Sequence, residues 1–293
     1  MHDFLCSVGF SKLKGGSALS ELLDEVRNNP QVSQRVNITG GISYVEYRKK
    51  YFRNGGIAVR GEIDEKHQFH MSYYYPFFTG SGITTEEYVD VEKHAEKNSY
   101  AGICDEVRVG VTLIFYLQNV ADYFYTLSKK GTIKGSRGVV LSGLAKEGCI
   151  LLPMNKTEVQ RKDSKRTATN RNNLIAAARE GNEEAIENLT LEDIDTYSML
   201  SRRILTEDVF TIVDTCFMPY GIESDQYYIV GEILDVVTCQ NESTQEEIIQ
   251  LRVNCNDLIF NVCINRNNLL GEPAVGRRFK GAIWLQGNIR FEN

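Results

Sequence analysis

GRRFKGAIWLQGNIRF (Gly276–Phe291) carries the clearest structural pattern in this 293-residue chain. Successive residues of a strand point to opposite faces of its sheet. One alternating set is apolar and predicts a core face: Phe279, Ile283 and Leu285. The other set joins cations and an amide to the only tryptophan: Arg278, Lys280, Trp284 and Gln286. Because cations beside an indole suit stacking and cation–π contacts, we predict that this second face binds a partner or ligand. The alternative is that Trp284 packs against another part of the chain.

The surrounding residues 225–293 predict a small all-β module. Apolar and β-branched runs indicate five strands at Tyr227–Thr238, Glu247–Val253, Leu258–Asn265, Arg277–Leu285 and Asn288–Phe291. Turn-forming residues separate these runs. Five short antiparallel strands are typical of an OB-like β-barrel. An SH3-like barrel and a small open sheet are the alternatives.

Residues 1–155 predict an α+β domain with a mainly antiparallel sheet. A helix starts near Ser17 and ends before Pro30. The residues of 57–64 and 69–77 alternate between apolar and polar, which is the pattern of half-buried strands. Further strands are predicted at 44–52, 109–117 and 139–152, and a short helix at 119–127.

Residues 156–224 predict a basic linker followed by a helical connector. The polar stretch 156–180 carries a surplus of positive charge, which favours an exposed linker over a binding patch. In the helical part, Gly181 is placed to end one helix and Asn182 to cap the next. No internal repeat is visible in the sequence.

Composition and charge limit the classes of function. The formal net charge is −6, which disfavours a general nucleic-acid binder. The longest apolar stretch, 109–117, is too short to cross a bilayer, and the N-terminus lacks the features of a signal peptide. Seven cysteines without a CxxC pair fit reduced thiols. We therefore expect a cytoplasmic protein without membrane contact.

The sequence contains few patterns that carry chemistry. The loop GTIKGSRG (Gly131–Gly138) places Lys134, Ser136 and Arg137 among three glycines, an arrangement that can hold a phosphate but also forms plain hairpin turns. His67 and His70 are three positions apart, so a strand would point them to opposite faces, and we predict no metal site. There is no recognisable catalytic nucleophile motif, and no cofactor is predicted.

Three stretches resemble an uncharacterised family of cytosolic Clostridia-type proteins known only as a domain of unknown function. They are MHDFLCSVGF at the start, NNLIAAAREGNEEAIENLTLEDIDTYSMLSRRI through FMPYGIESDQY in the middle, and LLGEPAVGRRFKGAIWLQGNIRF at the end. The resemblance covers essentially the whole chain. It implies a bacterial cytosolic protein and brings no activity, cofactor or catalytic residue with it.

The main hypothesis is a non-catalytic binding or scaffolding protein that acts through the β-module or the N-terminal sheet on an unknown protein or small molecule. One alternative is an enzyme with a site in the first domain, drawing on His67, His70, Tyr74 or the 134–137 loop. The other is single-stranded nucleic-acid binding through the OB-like module. Charge disfavours this last alternative, since residues 225–293 hold six Lys or Arg against nine Asp or Glu.

Overall fold

The computed structural model describes residues 2–38, 42–93, 99–130, 136–154, 158–204 and 212–291. The fold is α+β, as predicted. Four strands form an antiparallel sheet in chain order: β1 (Val32–Asn37), β2 (Ser43–Phe52), β3 (Gly55–Ile63) and β4 (Phe69–Phe78). This sheet confirms the strands expected at 44–52, 57–64 and 69–77.

A second, mixed sheet holds the other eleven strands. Those before residue 155 are β5 (Thr85–Lys93), β6 (Tyr100–Glu106), β7 (Val111–Leu117), β8 (Ser136–Ala145) and β9 (Gly148–Leu151). Those after it are β10 (Cys216–Pro219), β11 (Gln226–Gln240), β12 (Glu247–Cys255), β13 (Leu258–Asn265), β14 (Leu269–Leu270) and β15 (Arg278–Ile289). Strands from both ends of the chain are thus hydrogen-bonded in one sheet.

The helices are α1 (Ser17–Asn28), α2 (Val120–Lys130), α3 (Glu158–Arg179) and α4 (Glu183–Ile204), with a 3-10 helix at Asp3–Val8. The positions of α1 and α2 agree with the sequence prediction. The linker prediction is wrong for residues 158–173, which belong to α3; the helix that Gly181 ends was predicted only from Leu174 onward. The physical reason is that the lysines, arginines, glutamine and alanines of this stretch are good helix formers and α4 packs against it.

The strand β15 is the hub of the mixed sheet. It pairs antiparallel with β8, β9 and β11, and parallel with β7. One circuit of pairings runs β11–β12–β13–β8–β15 and returns to β11, with the β13–β8 step parallel. A second circuit runs β5–β6–β7–β15–β8 and returns to β5, with the β7–β15 step parallel.

The two circuits have the same order of strands and directions, so the chain contains a topological repeat. In each circuit a three-stranded meander is followed by two shared strands. The order is β8 then β15 after β13 in the first circuit, and β15 then β8 after β7 in the second. The triplets Leu141-Ser142-Gly143 and Leu285-Gln286-Gly287 occupy matching positions, because Leu285 pairs with Gly143 and Leu141 with Gly287. The repeat is one of topology, with only this short triplet in common.

Both faces of β15 are covered. Phe279, Ile283 and Leu285 are fully buried in one hydrophobic core, as the strand alternation predicted. Trp284, on the other face, belongs to a second core that includes Phe4, Tyr75 and other residues of the N-terminal segment and the four-stranded sheet. The mixed sheet is therefore sandwiched, and β15 lies between the two cores.

A buried ionic network joins the four-stranded sheet to the mixed sheet. Glu46 on β2 and Arg60 on β3 are each 1 % exposed and form an ion pair, and Arg48 also bonds Glu46. The Arg60 guanidinium donates to the Tyr116 hydroxyl at 2.7 Å and to the carbonyl of Gln118 at 2.6 Å, both at the end of β7. A buried charge pair is tolerated when its remaining donors and acceptors are satisfied, and this one is.

The network fixes the protonation of Glu46. Burial by itself raises the pKa of this carboxyl, but the guanidinium groups of Arg48 and Arg60 oppose it more strongly, so the net pKa lies below its usual value. Glu46 is therefore an anion in the folded chain at neutral pH.

Adding a methyl group at the strand crossing should destabilise the fold. A β-carbon at Gly287 would lie 2.5 Å from Cδ2 of Phe115. We expect Gly287→Ala to lower the free energy of unfolding by about 1–3 kcal/mol through overpacking. Gly15 is the control, because nothing lies within 4 Å of the place that an added β-carbon would take, and Gly15→Ala should change little. Denaturant unfolding measures both, and equal small effects would contradict the tight crossing.

Removing the charge of Glu46 should destabilise the protein in a pH-dependent way. Glu46→Gln leaves two guanidinium groups without their anion, so we expect a loss of about 3–5 kcal/mol at pH 7. Folding lowers the pKa of the Glu46 carboxyl. The stabilisation from its ion pairs is therefore fully present above the unfolded pKa of about 4.3, and it is lost as the pH falls through the lower pKa of the folded state.

The difference in unfolding free energy between wild type and Glu46→Gln should therefore shrink in acid, as measured by denaturant unfolding across that range. Glu25→Gln is the matched control, since Glu25 pairs with Lys49 at a half-exposed site and should cost less than about 1 kcal/mol. A gap for Glu46→Gln that does not change with pH would contradict the ionised, paired state of Glu46.

Candidate functional site

The predicted contact face of β15 is not exposed. Arg278, Trp284 and Gln286 are 5 %, 4 % and 0 % exposed, and only Lys280 is half-buried. This corrects the expectation of an outward face of cations and indole. The physical reason is that the N-terminal segment and the four-stranded sheet cover this side of β15, which strand alternation alone does not reveal.

Two of these side chains bind the backbone of their own chain. The Arg278 guanidinium donates to the carbonyls of Leu152 at 3.1 Å and Val213 at 2.8 Å, and burial lowers its pKa against the opposing charge of Asp214. The Gln286 amide donates to the Pro76 carbonyl at 2.9 Å and accepts from the Gln118 side chain at 2.6 Å. Both residues therefore hold strands and connections together.

Trp284 is the centre of an aromatic cluster. Its ring centroid lies 4.8 Å from that of His2, 5.0 Å from Tyr116 and 5.5 Å from Phe4. The indole N–H donates to a carboxylate oxygen of Asp225 at 2.7 Å. These contacts bear out the alternative in which the tryptophan packs against the chain itself.

The outer layer of this cluster holds half-buried polar groups that sequence reasoning missed. The His2 Nε2 lies 3.1 Å from the Tyr73 hydroxyl, and the backbone N–H of His2 donates to the Tyr74 hydroxyl at 2.9 Å. Burial, with the charge of Asp225 next in size, raises the pKa of Tyr73 to about 12. Tyr73 therefore keeps its proton. The contacts of His2 with Tyr73 and Tyr74 hold the N-terminal segment against β4. No sequence pattern brings position 2 to positions 73 and 225.

The residues of the enzyme hypothesis lie apart. His67 is in the turn between β3 and β4 with a positive φ of 60°, and exposed His70 bonds Asp64 at 2.9 Å. Tyr74 instead contacts the N-terminal segment. Of the proposed phosphate loop, Lys134 is outside the described residues, while Ser136 and Arg137 start β8 and pair with Val89 and Tyr88.

The cysteines are unpaired thiols, and the buried Cys104 and Cys255 resist ionisation. All seven are free. Burial, followed by the charges of Glu106, Glu87 and Asp105, raises the pKa of Cys104 to about 12. Burial also raises the pKa of Cys255 to about 12. Thiols with raised pKa are poor nucleophiles, so these two are packing residues.

One shallow groove of about 380 Å³ is lined by Lys146, Glu147 and residues 267–270. Its lysine pairs with Asp3 at 3.2 Å and lies over the ring of Phe4. Among the described residues, no group of three or more His, Cys, Asp or Glu side chains is placed to hold a metal ion.

The helical hairpin α3–α4 is one of the elements that carry exposed apolar side chains. The two 22-residue helices pack chiefly against each other within the described residues. Gly181 at φ 87° ends α3, and the side chain of Asn182 accepts from the N–H of Ala185 at 3.0 Å, which confirms the predicted cap. The hairpin is thus a locally specified element that extends from the sheets.

The helix α4 carries apolar side chains on two sides. Ala185 is buried, Leu189 is half-buried and Glu192 lies 3.7 Å from Arg171 of α3, so positions 185, 189 and 192 form the inner face. Ile186, Leu191 and Ile194 are 47 %, 55 % and 56 % exposed. At 100° per residue these three lie on the opposite side of the helix from α3. We call Ile186, Leu191 and Ile194 the outer stripe.

Comparison with known proteins places the chain in one sequence family. The family described as "Domain of unknown function, E. rectale Gene description (DUF3881)" matches residues 5–287. No curated protein and no solved structure matches the chain. In the described ranges, none of the helices has the length and apolar character needed to span a bilayer.

Truncating Trp284 should unfold the protein rather than weaken an external contact. We expect Trp284→Ala to lower the free energy of unfolding by about 3–5 kcal/mol, because it empties a buried aromatic cluster. Tyr125→Ala is the aromatic control, since Tyr125 is 52 % exposed and its loss should cost well under 1 kcal/mol. Denaturant unfolding of both variants checks this, and a fully stable Trp284→Ala protein would show that the indole is not a core residue.

Proposed function

The chain belongs to this family of unknown function, which agrees with the Clostridia-type resemblance, and we propose that it is a non-catalytic interaction protein. In this proposal the two sheets form a rigid body, and the α3–α4 hairpin is the surface that contacts a protein partner. The observation that carries it is the outer stripe, which lies on the side of α4 that α3 does not cover.

Exposed apolar side chains indicate an interaction site when they are grouped on the surface. Single exposed leucines and isoleucines are normal on protein surfaces. Three within nine residues, on the side of one helix that faces away from α3, form an apolar strip that Thr190 and Glu187 interrupt. Each is about half exposed, so covering it contributes about 1 kcal/mol at the usual value for apolar burial. Such a strip is the typical anchor of a helix-mediated contact.

The body of the molecule suits a scaffold. Its central strands are buried on both faces, and the Glu46–Arg60 ion pair ties the sheets together. The face of β15 that the sequence predicted to bind is used internally. An element that projects from this body is therefore better placed for recognition than the strands themselves.

We propose that the two circuits of the mixed sheet are a pair of OB-like barrels that share β8 and β15. Support comes from the order of pairings in each circuit, a meander of three antiparallel strands whose third strand runs parallel to a shared strand. This parallel step is characteristic of a five-stranded Greek-key barrel. The predicted C-terminal OB-like module then takes one of its five strands, β8, from the N-terminal half.

The compartment we propose is the bacterial cytoplasm. The seven unpaired thiols support a reducing environment, since secreted proteins of oxidising compartments pair their cysteines. A protein partner is favoured over a small molecule because the contact element is a pair of long helices rather than a pocket.

Site-specific photo-crosslinking tests the hairpin as the contact surface. A photoreactive amino acid at Leu191 or Ile194 in the full chain should give discrete protein adducts in the native host, and Ile186→Glu should abolish them by placing a charge in the strip. The control position is Val275, which is 66 % exposed on the sheet body and should give no discrete adduct. Adducts from Val275 alone, or from no position, would overturn the proposal.

A further inference from the structure

We propose that the β11–β12 loop (residues 241–246) and β13 form a peptide-binding site, which residues 4–11 of the same chain occupy as an intramolecular ligand. We call residues 4–11, with the sequence FLCSVGFS, the bound segment. The external ligand is an apolar peptide segment of another protein with the same pattern of residues. The inference goes beyond the proposed function, because it concerns the mixed sheet and does not depend on the α3–α4 hairpin.

The site binds the main chain of the bound segment at four successive carbonyls. Each carbonyl accepts a hydrogen bond from a side chain of the β11–β12 loop or of β13, at least 233 positions away in the sequence. The pairs are Asn265 with Cys6 at 3.3 Å, Cys263 with Ser7 at 3.4 Å, Asn241 with Val8 at 2.8 Å and Thr244 with Gly9 at 2.6 Å. Peptide recognition commonly works in this way, since main-chain hydrogen bonds supply affinity and pockets for side chains supply specificity.

The two amide donors of the site are oriented by the site itself. The Asn241 side-chain oxygen accepts from the backbone N–H groups of Ser243 at 2.9 Å and Thr244 at 3.1 Å, which directs the amide N–H toward the bound segment. The Asn265 side-chain oxygen accepts from the backbone N–H of Asn267 at 3.0 Å in the same way. Both asparagines are fully buried. Donors that are oriented before a ligand arrives lose little conformational freedom on binding, so this arrangement favours affinity.

Side-chain contacts define the pattern of residues that the site accepts. Gly9 has a φ of 90°, and an added β-carbon would lie 2.8 Å from Cβ of Asn241, so only glycine fits there. The Glu246 carboxylate accepts from the Ser11 hydroxyl at 2.8 Å. Four apolar side chains of the bound segment are buried: Phe4, Leu5, Val8 and Phe10. The ligand pattern is therefore apolar at positions one, two, five and seven of the segment, glycine at position six and a hydroxyl at position eight.

The bound segment is attached to the body as a separable element. The backbone-to-backbone hydrogen bonds described for it stay within residues 2–13, such as the bond from the Phe10 N–H to the Leu5 carbonyl at 3.1 Å. None of the described strand pairings includes it, so its release breaks no sheet ladder. The connection to α1 ends in Gly15 and Gly16, which are exposed and have nothing within 4 Å of an added β-carbon. The chain can therefore change direction at these glycines.

An intramolecular ligand sets a threshold that an external ligand must exceed. A segment tethered by a short connection is present at an effective concentration on the order of millimolar. A second copy of the chain offers the same segment at a lower concentration, so it competes poorly with the chain's own segment. A different protein whose segment fits the pattern better displaces the bound segment. The site is thus autoinhibited and selects ligands that bind more tightly than residues 4–11.

Binding of a synthetic peptide to the full chain tests the site. The probe is a fluorescent peptide with the sequence FLCSVGFS, measured by fluorescence anisotropy under reducing conditions. Gly9→Ala in the full chain weakens the chain's own segment, so we expect this variant to bind the peptide about tenfold or more tightly than wild type. Circular dichroism and thermal unfolding check that the variant is folded. A folded Gly9→Ala chain that binds the peptide no better than wild type would overturn the proposal.

Two matched controls separate the site from non-specific apolar binding. A peptide with alanine in place of its glycine should bind the Gly9→Ala chain about tenfold more weakly, because its β-carbon meets Asn241. Thr244→Val, added to the Gly9→Ala chain, should weaken the original peptide about threefold to tenfold, because it removes a hydroxyl donor at an exposed position. Equal binding of the two peptides, or a Thr244→Val change without effect, contradicts the proposed site.

Hydrogen exchange of the wild-type chain gives a second measurement that needs no variant. Unlabelled peptide at roughly millimolar concentration should speed exchange of the Gly9 and Phe10 backbone N–H groups, since both lose their internal bonds when the segment leaves. The alanine peptide should leave exchange unchanged. No response to either peptide would refute displacement. A wild-type mass of twice 33.2 kDa in sedimentation equilibrium, lost in Gly9→Ala, would refute the assignment to a different protein in favour of segment exchange between copies.

Discussion

The pairing of β8 with β15 is the constraint on which the rest of the structure depends. These two strands are the only described ones that belong to both circuits of the mixed sheet, so each must satisfy neighbours on both edges and cores on both faces. Where β8 and β15 pass close to neighbouring side chains, there is no room for a β-carbon. Gly143 and Gly287 provide that room, against Ile283 in one circuit and Phe115 in the other. The Leu-x-Gly triplets at 141–143 and 285–287 are the part of the topological repeat that can be recognised in the sequence, because close packing requires glycine at both crossings.

Around this pair, buried polar groups determine how the second sheet is attached. The carbonyl of Phe78, at the end of β4, accepts from Ser142 of β8 at 2.5 Å and from Gln118 at 2.9 Å. Gln286 of β15 completes this group through Gln118. Together with the Arg60–Glu46 pair, these bonds specify one position of the four-stranded sheet, because any other would leave buried charges and amides without partners. The residues that strand alternation assigns to a recognition face are thereby part of the internal framework.

The buried face of β15 is not available to a partner, whereas the α3–α4 hairpin has exposed apolar side chains. The tryptophan and the cations of β15 would have served a ligand had one face of the strand been exposed, but the N-terminal segment occupies that face with His2 and Phe4. The hairpin has the opposite character: its turn is well capped, its helices are long, and Ile186, Leu191 and Ile194 are exposed on the described part of α4. In the function proposed above, the two sheets serve as the rigid body and the hairpin as the contact element.

The sequence by itself determined the local structure. Alternation identified β3, β4 and the core face of β15, β2 was predicted as their hairpin partner, and Gly181 with Asn182 located the turn between α3 and α4, since these signals are carried by neighbouring residues. It did not predict β1, β5, β6, β10 or β14, nor did it predict the first part of α3, because short or charged segments carry weak periodicity. Its charge counts described the hairpin without showing that one side of it is uncovered. Only the tertiary structure decided that β15 is buried on both faces, that the two halves of the chain share strands, and that Trp284 meets residue 2. Those facts depend on contacts between residues more than a hundred positions apart, and no local pattern records which surface a distant segment will cover.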